Sequence, residues 1–262
     1  MVRTFIYWRL GMLATLLTLL ALARSAYADE ALRVDLTADE YAPMISETLP
    51  SGGLMTQIVR ESFKIGGVEA VVQFLPNNRA ITGVMKGLYP GSFGWTHSAE
   101  RDQKLLFSHT PIYNFRIVFF QRAGETYNLK NLADLKGSRI GSTLGNFYSD
   151  EFAALRIAAD AQVEEAGSDL ANMKKLLAGR IDLFPMDEES GRFLLSRNFL
   201  PDEQRKIISQ TQAISEVPVY VVMRRDLPRA AELLDRFDRG YQQLVESGEL
   251  AKLIGEAKQA AR

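Results

Sequence analysis

The chain of 262 residues has no cysteine, so a disulfide framework and a thiolate metal site are both closed to it. The same absence removes the lipid-anchored route to a membrane surface. Histidine is nearly absent too. His97 and His109 are the two present, and no carboxylate stands at a spacing that would complete a zinc site with them. Each reads as a surface or partly buried polar group, and no metal or cofactor is expected. There is no Gly-x-Ser-x-Gly elbow, Walker loop or dinucleotide fingerprint. There is no basic patch either, which argues against a nucleic-acid partner. Low-complexity stretches, repeats and long linkers are missing, so any domain division has to be read from hydrophobic pattern. The longest apolar run, Leu10 to Ala23, is 14 residues, short of the roughly 20 needed to span a bilayer.

That run has a different meaning in its context. Arg3 and Arg9 precede it, and Ala26-Tyr27-Ala28 follows, with small residues at the two positions a signal peptidase inspects. Residues 1–28 therefore read as a cleaved secretory signal peptide, and the protein is expected in the periplasm. No Arg-Arg pair supports twin-arginine export. Cleavage would leave 234 residues with 28 basic and 32 acidic side chains, a net charge of −4. A chain of that size suffices for one large domain or two small ones without disulfide support.

The remaining sequence alternates short apolar runs with helical periodicity. Leu54, Ile58, Val59 and Phe63 fall on one helical face, and Val71 to Leu75 reads as a strand. Ile81, Val84, Met85 and Leu88 make a second amphipathic helix before a strand from Ser92 to Trp95. Ile117 to Phe120 is a further strand, and Arg122 to Thr126 reads as a crossing into a second lobe. There, Leu132 to Gly137 is a glycine-capped helix end and Arg139 to Gly141 a strand. Ser149-Asp150-Glu151 opens a helix with an acidic first turn. Met173 to Ala178 is helical, and Gly179 to Phe184 is a helix-to-strand turn. Val217 to Met223 returns as a strand to the first lobe. Leu233, Leu234, Phe237, Tyr241 and Leu244 line a long helix between Pro228 and Gly248. This strand–helix alternation predicts an α/β protein.

The stretch from Gly91 to Tyr113 carries the most information. A small-polar turn ends the strand at Trp95 and Thr96. Ser98-Ala99-Glu100-Arg101 follows, and then Phe107-Ser108-His109-Thr110-Pro111-Ile112-Tyr113. This resembles the carboxylate-gripping segment of the family 3 periplasmic solute-binding proteins, which include the polar amino-acid-binding proteins of ABC transporters. His109 stands where that family usually has aspartate. Tyr41-Ala42-Pro43, Leu135-Lys136-Gly137, Leu177 to Asp182 and Gly248 to Leu253 match further family patterns in the same order. Lys86 to Pro90, by contrast, lacks the expected aspartate. The resemblance implies a two-lobed periplasmic binding protein fold (type II). Each lobe would be a mixed, mainly parallel sheet flanked by helices, and two crossover strands would join them. Lobe 1 would comprise residues 29–120 and 218–262, and lobe 2 residues 121–217.

The resemblance also implies a site between the lobes. Arg101 would grip a ligand carboxylate with its planar fork; the plainer reading is a solvated arginine paired with Glu100 or Asp102. Thr96 would donate a hydrogen bond to the ligand. Asp187 would hold an α-ammonium, or else serve only as the N-cap of the segment through Glu188 and Glu189. Tyr41 and Trp95 would wall the cleft, or else pack in the core. Asn146 and Phe147 replace two threonines in a loop at a helix N-terminus, where backbone N–H groups favour an anion. Phe147 would either contact ligand or pack between lobes, and Arg79, at a helix start, is a weaker candidate for the cleft.

The expected function is capture of a small polar carboxylate-bearing solute, an amino acid or derivative, for an ABC permease in the inner membrane. The protein would act as a monomer and not as an enzyme. One alternative is a ligand-binding module for a membrane sensor. Another is an enzyme like the cyclohexadienyl dehydratases, which share the fold; Glu47 and Glu188 are the acids near the expected cleft. The signal-peptide reading has a direct test. N-terminal sequencing of the protein from periplasmic extract should begin at Asp29, and full-length protein retained in the membrane fraction would refute it.

Overall fold

The computed structural model describes residues 32–75, 79–127, 132–158 and 162–260. The expected signal peptide, its cleavage site, and Asn77 and Asn78 lie outside that set. Strand β1 (Leu32–Asp39) leads to helix α1 (Leu54–Ile65), whose buried face carries Leu54, Ile58, Val59 and Phe63, paired at four-residue steps. Strand β2 (Val68–Leu75), helix α2 (Arg79–Met85), strand β3 (Gly91–Trp95), helix α3 (Ala99–Lys104) and strand β4 (Leu105–Phe107) follow. One expectation fails in α2. The helix stops at Met85, Gly87 turns the chain at a φ of 82°, and Leu88 is 72% exposed rather than on the apolar face.

Strand β5 (Tyr113–Arg122) leads into the second half, where strands and helices alternate again. They are β6 (Arg139–Thr143), α4 (Asp150–Ala158), β7 (Gln162–Ala166), α5 (Asp169–Leu177), β8 (Leu183–Asp187) and α6 (Glu188–Asn198). The acidic start of α4 is capped by Ser149, whose Oγ accepts from the Phe152 amide at 3.0 Å. After the short α7 (Pro201–Gln204), strand β9 (Ile207–Arg224) runs for 18 residues, and α8 (Ala230–Glu246) and α9 (Glu249–Ala260) follow it. Among the described residues, no helix is long and apolar enough to cross a membrane.

The strands hydrogen-bond in the order β2-β1-β3-β9-β5-β8-β6-β7, with β4 also on β9. Pairs β1/β3, β6/β7 and β6/β8 are parallel, whereas β9 is antiparallel to β3, β4 and β5. The result is a mixed sheet flanked by helices, in two lobes joined by β5 and β9. The segment read as the crossing, Arg122 to Thr126, begins at the last residue of β5. Tyr113 to Arg116 pair with β9, and from Ile117 onward β5 also pairs with β8. Arg122 is instead an anchor of the second lobe. It donates to the carbonyls of Leu176 and Ile181 and pairs with Glu125 and Asp182.

That anchor explains the motif ending at Asp182. Gly179 turns the chain after α5, Ile181 is buried, and the Asp182 carboxylate accepts from the amide and Nε of Arg139 at 2.9 and 3.1 Å. Hydrogen bonding to Arg139 holds the Asp182 carboxyl down to about 2.

In the first lobe α1 packs on α8, with Phe63 and Phe237 rings 5.2 Å apart. The approach depends on Gly240, where a Cβ would sit 1.8 Å from the Ser62 carbonyl oxygen. Gly240→Ala should therefore destabilise the protein by about 1–3 kcal/mol despite alanine's better helix propensity. A thermal unfolding midpoint equal to or above wild type would contradict this packing.

Candidate functional site

A cavity of about 330 Å³ opens where the ends of β1 and β3 face β6, α5 and β8. That volume falls in the range of roughly 300–1,000 Å³ typical of small-molecule sites. All seven residues singled out from sequence, Tyr41, Trp95, Thr96, Arg101, Asn146, Phe147 and Asp187, line it. Arg79, the weaker candidate, does not.

Arg101 sits in the first turn of α3, capped by Ser98, whose Oγ accepts from the Arg101 amide at 3.3 Å. Its Nη1 donates to both the carbonyl and the Oγ1 of Thr96, each at 2.9 Å, and its guanidinium lies 5.2 Å from the centre of the Trp95 ring. The Trp95 indole N–H is itself fixed on Ser92 Oγ at 2.7 Å. The plainer reading of a solvated ion pair does not describe this arginine. Asp102 pairs with His97, Glu100 with Lys104, and no described carboxylate pairs with Arg101. Burial lowers its pKa from the usual value, and its side-chain bonds to described residues run through Nη1. Thr96 accepts from Arg101 through Oγ1, so its own hydroxyl hydrogen is left to donate.

The opposite wall is acidic. Asp187 is 1% exposed and does serve as the N-cap of α6: Oδ2 accepts from the Ser190 amide at 2.9 Å and Oδ1 from the Arg116 amide at 3.2 Å. Capping and lining the cavity are compatible, because neither bond involves a cation. Burial raises its carboxyl to about 6. Asp169, at the start of α5, was not anticipated from sequence. Its Oδ1 accepts from Thr143 Oγ1 at 2.6 Å and Asn146 Nδ2 at 3.2 Å, and burial raises its pKa. The amide of Asn146 is thus turned onto Asp169, while Phe147 beside it is 47% exposed. Tyr41 meets Phe115 edge-on at 5.3 Å. Its hydroxyl pKa is raised well above the usual value by burial, with Asp169 and Asp187 adding to the effect.

No family model matches the sequence, and no curated protein matches it. Solved structures do. The amino acid ABC transporter substrate-binding protein AbpA from Streptococcus pneumoniae, bound to L-arginine, is 19% identical over 90% of this chain and 98% of that one, with a TM-score of 0.69. A variant of ArgBP from T. maritima is 18% identical over 87% and 95%, with a TM-score of 0.68. A histidine kinase sensor domain with similarity to periplasmic binding proteins is 17% identical over 87% and 96%, with a TM-score of 0.69. The fold is that of the periplasmic binding proteins. At these identities the likeness is one of fold.

Within this binding-protein fold the acids weighed for an enzymatic role are elsewhere. Glu47 is exposed, Glu188 is bound by Arg116 and Arg192, and neither lines the cavity. The histidines are also engaged away from it. His97 stacks on Phe107 at 3.8 Å, and His109 bonds Asp238 at 2.9 Å. Among the described residues, no group of His, Cys, Asp or Glu is arranged to hold a metal.

The raised pKa of Asp187 has a measurable sign. With a folded value near 6 against about 3.9 unfolded, its contribution to stability is fully present below pH ~4 and is lost as pH rises through ~6. The loss is about 3 kcal/mol. Asp187→Asn removes the titration and one of two bonds, the latter a pH-independent cost. The stability difference, wild type minus variant, should then fall by about 2 kcal/mol between pH 4 and 7. A constant difference in chemical unfolding across that range would refute the assignment.

Proposed function

We propose that this protein is a periplasmic substrate-binding protein that captures a small carboxylate-bearing polar solute, an amino acid or derivative. The observation that carries this reading is Arg101: a half-buried guanidinium at a cavity wall, oriented by Thr96 and Trp95, with no carboxylate partner among the described residues. Arg101 and Thr96 hold the acid end of the solute, and Asp187 accepts the ammonium. Tyr41 and Trp95 supply the aromatic walls, and Asn146 and Phe147 border the site from the second lobe. Because the solute bridges both lobes, it binds the closed arrangement better and shifts the population toward it. That closed form is what an ABC permease recognises.

The neighbours of known structure support binding rather than catalysis, and secretion through the N-terminal leader brings the protein to its permease. The lobe limits expected near residues 120 and 218 fall within β5 and β9, and the pairing of Ile117 to Phe120 with β8 favours a first limit nearer residue 116. The histidine kinase sensor domain among the neighbours favours one second reading, a ligand-binding module that reports to a membrane sensor. An adjacent permease and ATPase in the operon supports import, and an adjacent sensor kinase supports signalling.

Arg101→Ala should weaken binding of a carboxylate solute at least ~30-fold, since removing one partner of a desolvated charge pair costs about 2–5 kcal/mol. Arg101→Lys should also bind poorly, because an ammonium cannot reproduce two parallel bonds. Trp95 is the one tryptophan after loss of Trp8 with the leader, so its emission reports occupancy directly. Near-wild-type affinity in the alanine variant, with unchanged circular dichroism, would sink the reading.

A further inference from the structure

The cavity lining is unbalanced in charge. Among the described lining residues Arg101 is the single basic side chain, against four acids, Asp39, Glu40, Asp169 and Asp187. Two of the four close β1 in the first lobe, on the side of Arg101: Asp39 Oδ1 accepts from the Ala80 amide at 3.2 Å, and Glu40 Oε2 from the Glu47 amide at 3.0 Å. The other two belong to the second lobe, and each raises the pKa of the Tyr41 hydroxyl between them and the first lobe. Neither has a cation among the described residues. A zwitterion with one ammonium would neutralise Arg101 and one of these acids, and closure would leave the other carboxylate dehydrated and unpaired, which is costly.

Asp169 is the acid left over. Its position at the start of α5 invites a purely structural account, but Ser168 already caps that helix, its Oγ accepting from the Ala171 amide at 3.2 Å. Both bonds that Asp169 accepts, from Thr143 and Asn146, are to Oδ1. Oδ2 accepts nothing from a described residue, and the side chain lines the cavity. Thr143 is in turn fixed by Asn172, whose Nδ2 donates to its Oγ1 at 2.9 Å. The carboxylate is therefore held by one oxygen, with the other presented.

We propose that the cavity selects a solute bearing one carboxylate and two cationic nitrogens, and that Asp169 recognises the second cation. This rests on the reading of Arg101 and Asp187 given above and narrows it to basic amino acids and similar diamino carboxylates. Asp169 sets specificity within the site, while Arg101 sets affinity for the shared carboxylate.

Calorimetry on the mature protein tests this with L-lysine, L-ornithine and L-arginine against their uncharged counterparts L-norleucine and L-citrulline. The basic solutes should bind at least ~10-fold more tightly, the scale of one charge-assisted contact. Asp169→Asn keeps an acceptor oxygen for Thr143 and Asn146, and it should bring the two groups of solutes to within about threefold. Equal affinity for charged and uncharged solutes in the wild type would overturn the proposal, as would an undiminished preference in Asp169→Asn. The wild-type series needs no variant, so misfolding cannot mask the answer. If uncharged amino acids bind in an Arg101-dependent manner with no preference for a second cation, this inference alone fails. If no amino acid binds, the carboxylate reading fails with it.

Discussion

The two lobes are held in one sheet by an antiparallel ribbon. Strand β9 pairs with β5 along most of its length, from Ile207 against Arg122 to Val219 against Tyr113, and only then meets β3 and β4 with its last residues. Eighteen residues of extended chain span on the order of 60 Å, enough to serve as the floor of both halves. Val217 and Val219 on β9 and Phe115 and Ile117 on β5 also line the cavity. The same ribbon therefore joins the lobes and forms the base of the site. Its register shifts, between Ile117 and Val118 and between Val118 and Phe120, lie where β8 joins the sheet.

On that base the cavity holds one guanidinium from the first lobe and two buried carboxylates from the second. The first lobe supplies a guanidinium held by a carbonyl, a hydroxyl and an aromatic face, none of which neutralises it. The second supplies two carboxylates held by backbone amides, a threonine and an asparagine. Each group is partly dehydrated and hydrogen-bonded, yet none has its counter-charge among the described residues. Such an arrangement costs stability in the free protein, most clearly through the raised pKa of Asp187. It favours any solute that brings the complementary charges. Elsewhere opposite charges do meet. Arg122, Glu125, Arg139 and Asp182 satisfy one another in the second lobe, so the unpaired charges of the cavity are not a general habit of the protein.

Much of this was legible from the chain, and the parts that were not share a cause. Leu54, Ile58, Val59 and Phe63 declare their helix because apolar neighbours four positions away share its face. Leu88 misleads because Gly87 ends the helix before the pattern does. Strand β7 went unseen because Gln162, Glu164 and Glu165 are exposed along it, which leaves no apolar alternation to read. The first half of β9, Ile207 to Glu216, shows little alternation either, since most of its side chains are half-buried or exposed.

The site divides in the same way. Arg101, Thr96 and Trp95 lie within seven residues, so one local motif could present them together. Asp187 could be seen from sequence both as a cap and as a cavity acid, and the structure shows that one carboxylate holds both positions. Asp169 could not be singled out, because Ser168-Asp169 is an ordinary way to open a helix. Only the parallel pairing of β6 with β7 and β8 brings the first turn of α5 to the cavity. Sequence by itself determined most of the elements and the grouping of Trp95, Thr96 and Arg101, since both depend on residues a few positions apart. Tertiary structure decided which acids share the cavity, because that depends on strand register between segments tens of residues apart and on which charges lose their water.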